Sequence, residues 1–177
     1  FSVAPFTGAI ANEHSVIGVQ QGYGRVEGVT TLFGGALKNY FSVARTSLHS
    51  VNVSHDGSTA VNDGDRVKVD WRNVMTVAPG QVFIAGVERK VETINTTGFT
   101  ALQAGEWNNA GYLEYQSQIG RNLSFALNGR YDQNETFGGH ATYRFAPALI
   151  VPGTDTKLKA SVGSGFRAPT LNERFID

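Results

Sequence analysis

The chain contains no cysteine. That excludes disulfide scaffolds, cysteine zinc sites, iron–sulfur ligation and thiol catalysis. It has no surplus of either charge, with 15 Lys and Arg against 15 Asp and Glu in 177 residues. Nothing basic points to nucleic acid, and nothing acidic points to a solvating tail. No apolar run approaches the roughly 18 residues of a transmembrane helix. The longest, Phe145 to Val151, is broken by Pro147. Helical membrane proteins are therefore excluded. Strand-based ones are not, because their signal is alternation and not length. The opening Phe1-Ser2-Val3-Ala4-Pro5-Phe6 has no basic n-region and no initiator Met, so the chain reads as cut from something longer.

What is present points to strands. Glycine is abundant, at 21 residues, and 41% of the chain is hydrophobic against 17% charged, a composition that argues against disorder. Helix formers never gather at 3.6-residue spacing. Strand windows fall at 16–30, 38–54, 65–78, 81–95, 107–118, 123–132, 139–151 and 156–166. In the last four, one face reads Leu113, Tyr115, Ser117, Ile119; Leu123, Phe125, Leu127, Gly129, Tyr131; Ala141, Tyr143, Phe145, Pro147, Leu149; Leu158, Ala160, Val162, Ser164, Phe166, mostly apolar or aromatic. The other carries Glu114, Gln116, Asn128, Arg130, Asp132, Arg144, Lys157, Lys159 and Arg167. Earlier, Val67, Val69, Trp71, Met75 and Val77 oppose Arg66, Lys68, Asp70 and Arg72. A soluble sheet would pack the oily face inward. A membrane barrel would turn it to lipid and keep charge in the lumen.

The connections favour the barrel. Ala78-Pro79-Gly80, Gly120-Arg121-Asn122 and Pro152-Gly153-Thr154-Asp155 are tight turns. Longer links at His55–Gly64, Thr96–Glu106 and Gln133–Gly138 alternate with them, as periplasmic turns alternate with extracellular loops. The expected fold is all-β, an antiparallel up-and-down meander of about eight strands, part of a transmembrane β-barrel. Eight strands is also the smallest natural membrane barrel, so self-closure is a second possibility.

The stretch from Lys157 to Phe175 contains Gly163-Ser164-Gly165-Phe166-Arg167-Ala168-Pro169-Thr170-Leu171. It resembles the barrel signature of TonB-dependent outer-membrane transporters, in which an alternating strand runs into Gly-x-Gly-Phe-Arg-Ala-Pro-x-Leu. Asn109 to Tyr115, Gly129 to Asp132 and Phe137 to Pro147 are similar to the strands before it. The resemblance is closest to the vitamin B12 receptor-like branch. It implies a barrel of about 22 strands filled by a plug. Residues 1–177 would then be a partial barrel, with the plug and C-terminal strands absent. It further implies outer-membrane lipid as solvent, the parent chain's plug as neighbour, TonB acting through that plug, and a scarce nutrient as cargo, a metal chelate or a cobalamin-like solute. An isolated slice would expose two strand edges and self-associate. No nucleic acid, cofactor or metal is implied, and no enzymatic activity.

Arg130, Asp132, Arg144, Lys157, Lys159, Gly163, Gly165 and Arg167 are the candidate lumen- or plug-facing residues. Gly163 and Gly165, two apart on one face, would admit a second backbone closely, the plug on this reading. Pro169 removes a ladder donor and biases Ala168 to extended geometry. Arg167 would clamp a plug carboxylate or carbonyl; a strand exit with a solvated Arg is the simpler alternative. Trp71, Phe83, Trp107, Tyr131 and Phe166 are candidates for interfacial girdles.

Other constellations carry less. Ser54-His55-Asp56 is contiguous, whereas triad members meet through the fold, so an exposed loop is the better reading. Gly163-Ser164-Gly165 is not a nucleophile elbow. Gly22-Tyr23-Gly24-Arg25-Val26-Glu27-Gly28 misses the dinucleotide fingerprint and has no helix after it. His14, His49, His55 and His140 lack metal-ligand spacing. His55, Asp56, Asp63 and Asp65 match no EF-hand, and solvated loop charge is the default. The rival functions are a complete small outer-membrane barrel with an adhesive or structural role, and a soluble β-barrel or sandwich that binds a ligand.

Overall fold

The computed structural model describes residues 2–3, 10–11, 15–98 and 101–175. β1 (Ser2–Val3) and β2 (Ile10–Ala11) pair with each other in a small ladder. The rest is one antiparallel sheet in sequence order. It runs through β3 (Val16–Leu32), β4 (Leu37–Val53), β5 (Thr59–Ala78), β6 (Gln81–Thr97), β7 (Leu102–Ile119), β8 (Leu123–Asn134) and β9 (Gly138–Ile150). β10 (Lys157–Lys159) and β11 (Val162–Gly163) both pair with β9, and a short helix, α1 (Leu171–Phe175), follows. The all-β meander expected from alternation is the fold, and each window holds a strand.

The windows are too short at one end. The links expected over His55–Gly64, Thr96–Glu106 and Gln133–Gly138 are largely ladder, with β5 starting at Thr59, β7 at Leu102 and β8 ending at Asn134. The reason is chemical. There the outward face turns mostly polar, with Ser47, His49, Asp63, Asp65, Thr93 and Asn95, while Leu48 and Ile94 face inward, so the oily-outward alternation ends, yet backbone pairing needs no alternation to continue. On the outward, apolar face, oily positions occupy only part of each strand: Val67 to Val77 in β5, Leu123 to Tyr131 in β8, Ala141 to Leu149 in β9. That is about ten residues, the length a tilted strand needs to cross the hydrocarbon layer. β4 to β7 run on past this band, away from the Pro79-Gly80 turn. There the outward face carries an Arg45–Asp65 ion pair at 2.7 Å and a His49–Asp63 hydrogen bond at 2.6 Å.

Among the described residues the sheet is a single layer. No second sheet covers the apolar face, and Phe41, Trp71, Leu113, Leu127, Tyr131, Tyr143 and Phe145 are all exposed there. A soluble sandwich would have covered them. β3 does not pair with β10 or β11, so the described strands do not close on themselves as a small complete barrel would. Among the described residues no helix is long and apolar enough to cross a membrane; a β-barrel crosses with strands.

An aromatic ladder lies on the apolar face beside the short turns. Phe83, Tyr115, Phe125 and Phe145 follow one another at centroid separations of 5.3, 5.8 and 6.1 Å. The Tyr115 hydroxyl donates to Gln81 at 3.1 Å, pointing its polar tip at the strand end. Such placement suits an interface that is oily on one side and wet on the other. Trp71 and Tyr131 also lie on this face, as expected; Trp107 does too, under the Arg89 guanidinium 5.7 Å from its ring centroid.

The last strand is interrupted for a visible reason. β10 and β11 share one register on β9, with Lys159 opposite Ala148 and Val162 opposite Phe145. The break falls opposite Pro147, which accepts from Ala160 N at 3.1 Å but has no N–H to return.

Candidate functional site

The polar face of β4 to β9 is where chemistry-bearing side chains converge. In-register rows decide which groups meet. One row runs Asp70, Glu88, Ala110, Asp132 and His140 across β5 to β9; the next runs Arg72, Gly86, Tyr112, Arg130 and Thr142. Each contains one small residue, and a long neighbour reaches over it.

Ala110 lets Arg130 of β8 pass across β7 to Glu88 of β6, at 3.2 Å. The same guanidinium forks onto Asp132, with Nε and one terminal nitrogen each 2.8 Å from a carboxylate oxygen. Gly86 does the equivalent service for Tyr112. A Cβ at Gly86 would collide with the Tyr112 ring, and over that gap the Tyr112 hydroxyl donates to Asp70 of β5 at 3.1 Å. The wall is thus braced between strands that are not neighbours. Lys68 joins Glu88 at 2.6 Å, Arg66 pairs with Glu92, and Lys90 reaches Glu92 at 3.4 Å. Asn108 donates to Asp132 at 2.9 Å, and the Arg72 guanidinium lies 4.5 Å from the Tyr40 ring centroid. A hollow of about 610 Å³ opens over this network and is lined from β3 through β8.

The predicted residues divide. Arg130 and Asp132 are at the centre of the network. Arg144 lies toward the edge and donates to Ser161 at 3.1 Å. Lys157 and Lys159 stand exposed on β10. Gly163 is required by the sheet itself: a Cβ there would sit 2.5 Å from the Tyr143 carbonyl oxygen of β9. Gly165 has open space around its Cβ position. Arg167 is exposed and pairs with Glu173 of α1 at 2.5 Å, so within this chain the guanidinium already has a carboxylate.

Phe166 corrects the alternation. Parity puts it on the apolar face with Val162, yet its ring stacks on His140 of the polar face, centroids 3.6 Å apart and planes 3° from parallel. The ladder ends first. Ser164 N still donates to the Tyr143 carbonyl at 2.9 Å, but Tyr143 N donates to the Ser164 hydroxyl, so a side chain replaces the backbone acceptor. Freed of the ladder, the chain turns across the polar face, and Ala168-Pro169 continues it in extended form.

Sequence reading missed Glu106, Asn134 and Arg174. Asn134 is 1% exposed and donates to Glu106 at 2.6 Å, and Arg174 reaches the same carboxylate at 2.6 Å. Glu106 lay at the edge of a presumed loop. Its parity with Asn108 and Tyr112 was the available signal. Ser54-His55-Asp56 is the hairpin between β4 and β5, where Ser58 N and Oγ both donate to Asp56 and hold its carboxyl below the usual carboxylate range. Among the described residues no His, Asp and Glu group is assembled to hold a metal.

Comparison with known proteins agrees with this geometry. The family model for the TonB dependent receptor-like β-barrel matches residues 6–177. The chain is 26% identical over 139 residues to the vitamin B12 transporter BtuB of Photobacterium profundum, covering 78% of this chain and 23% of that protein. It is 30% identical over 114 residues to the vitamin B12 transporter BtuB of Vibrio vulnificus, covering 62% and 18%. The chain therefore spans about a quarter or less of the length of these relatives. A one-layer sheet with one oily face, a braced ionic face opposite it and this match over nearly its whole length place the chain in the TonB-dependent receptor family, as part of its β-barrel.

Proposed function

We propose that the chain is a section of the barrel wall of an outer-membrane TonB-dependent transporter that takes up a scarce nutrient, a cobalamin-like solute or a metal chelate. The observation that carries this reading is the sidedness of the sheet. An apolar band about ten residues deep faces outward, and a cross-strand ionic network faces inward. The named activity of the relatives supports the cargo class. On this reading the wall meets lipid outside and the parent chain's plug inside. Arg130, Asp132, Arg144, Lys157 and Lys159 hydrate the interior and face that plug. TonB acts through the plug, in the bacterial outer membrane, and the wall performs no chemistry on its cargo. Both open edges, β3 and β10–β11, pair with further strands in the parent and self-associate in the isolated segment.

The test uses the full-length chain in cells lacking their own cobalamin and ferric-chelate receptors. Uptake of labelled cyanocobalamin and of a ferric siderophore is measured with and without TonB. Uptake of one of them, lost without TonB, is the expected result. A protein recovered in the outer membrane that takes up neither under either condition defeats the reading.

A further inference from the structure

Among the described residues, half of the most buried side chains in this open sheet gather at one place, beneath the segment that follows β11. Ile94, Glu106, Asn134 and Leu171 are 7%, 7%, 1% and 6% exposed. Leu171 belongs to α1, and the other three to β6, β7 and β8.

The segment arrives there by crossing the polar face. Phe166 lies flat on His140 of β9. Thr170 and Glu173 then form a capping box: Thr170 N donates to Glu173 at 2.7 Å, and Glu173 N donates to the Thr170 hydroxyl at 3.2 Å. α1 touches β6 and β7. From β9 to β6 is three strand spacings, about 14 Å. Leu171 and Ile94 line the same cavity of about 340 Å³, with Arg66 and Glu92.

One carboxylate fixes the far end. Glu106 accepts from Arg174 at 2.6 Å, Asn134 at 2.6 Å and Thr136 at 3.3 Å. Asn134 Oδ1 in turn accepts from Thr136 N and Phe137 N, each at 2.9 Å, which sets the β8–β9 hairpin. A buried carboxylate is costly unless donors surround it, and Arg174 is the charged donor of this set. The rest of the segment is held by side chains, the Phe166 stack and the seat of Leu171, and by no backbone ladder after Ser164 among the described residues. Its helix is five residues, too short to persist alone. Its root at Gly165 has open space around it, and Arg167 is exposed.

We propose that residues 164–174 form a latched strap across the far end of the polar face, with Arg174 on Glu106 as the latch, and that solute reaches the face beneath only when the strap swings out. The proposal rests on the transport reading for its purpose, but not for its mechanics. The first test is therefore independent of cargo. In a full-length chain with no other cysteine, Ile94→Cys is exposed to a membrane-impermeant maleimide on intact cells, with Asp56→Cys in the exposed hairpin as reference. Ile94→Cys reacts at least tenfold more slowly than the reference. Adding Arg174→Gln speeds Ile94→Cys about tenfold and leaves Asp56→Cys unchanged, which also reports that the barrel is folded. Equal rates for the two cysteines, or no acceleration by Arg174→Gln, overturn the strap.

The second test joins Ile94→Cys to Leu171→Cys with a reducible bifunctional thiol reagent. Uptake of whichever solute the unsubstituted protein transports falls at least tenfold and returns on reduction. Unchanged uptake in the tethered protein overturns the gating role. Failure of the unsubstituted protein to take up either solute sinks the transport reading instead, and the labelling rates still decide the strap.

Discussion

β5 and β6 each pass through two environments. Between Val67 and Val77 the outward face of β5 is oily and its inward face charged. From Thr59 to Asp65 the outward face turns mostly polar, and there Asp63 bonds His49 and Asp65 pairs with Arg45 of β4. The hydrogen-bond ladder runs through both halves without a break. What changes at the boundary is the solvent the outward face is built for. The comparison teaches that in such a sheet strand length and apolar length are separate quantities. The ladder fixes the first, and the surroundings fix the second.

The sharpest way to break the contrast is to put a charge on each half. Leu127→Arg, mid-band on β8, is expected to destabilise the full-length barrel by about 2–4 kcal/mol, while Thr93→Arg, outward on the projecting part of β6, stays near zero. Denaturant unfolding from lipid vesicles measures both. Equal costs would erase the boundary.

The inward bracing gives the next effect. Arg130→Met leaves Glu88 and Asp132 with one cation fewer. The guanidinium is about one-third exposed, so solvent screens part of the loss, and about 1–2 kcal/mol is expected in the same unfolding assay. Ala110→Leu should cost a similar amount by blocking the path of Arg130 over β7, although it adds apolar surface. If Ala110→Leu stabilises instead, the bracing idea is wrong.

On the projecting half, His49→Ala is expected to cost under about 0.5 kcal/mol, as exposed pairs do. The smallest effect concerns the segment after β11. Thr170 N and Arg167 hold the Glu173 carboxyl below its ordinary value of 4.5. A depressed carboxylate stabilises fully above its ordinary value and loses that contribution as pH falls through the lowered one. Maleimide labelling of Ile94→Cys relative to Asp56→Cys, a ratio that cancels the common loss of thiolate as pH falls, should therefore be flat from pH 7 down to about 5 and rise only in stronger acid. A ratio that already rises near neutrality would mean that a group other than Glu173 loosens the segment.

Much of this was legible in the residues. Period-two contrast in Leu123 to Asp132 and Ala141 to Ile150 gave strand positions and faces, and the Gly163 to Pro169 motif gave the family. The projecting ladders were not legible, because Ser47, His49, Asp63, Asp65, Thr93 and Asn95 are polar on a face that is oily further down. The oily-outward alternation that marks the lower band is lost there, since the apolar Leu48 and Ile94 face inward. The inward position of Phe166 was hidden for another reason. Parity propagates only while the ladder does, and a serine hydroxyl ended it two residues earlier. The bracing needed registers between strands far apart in sequence, which one chain's text does not display.

Pro147 has a mechanical consequence. By withholding one N–H it divides the final ladder into two short patches, Lys157–Lys159 and Val162–Gly163. A continuous zipper would carry any tug on the segment after Gly163 down the whole strand. Two patches with a gap between them let the upper one peel while the lower one stays seated. The missing donor acts as a fuse, confining movement of the inward-folded segment to its own root and sparing the membrane-facing wall.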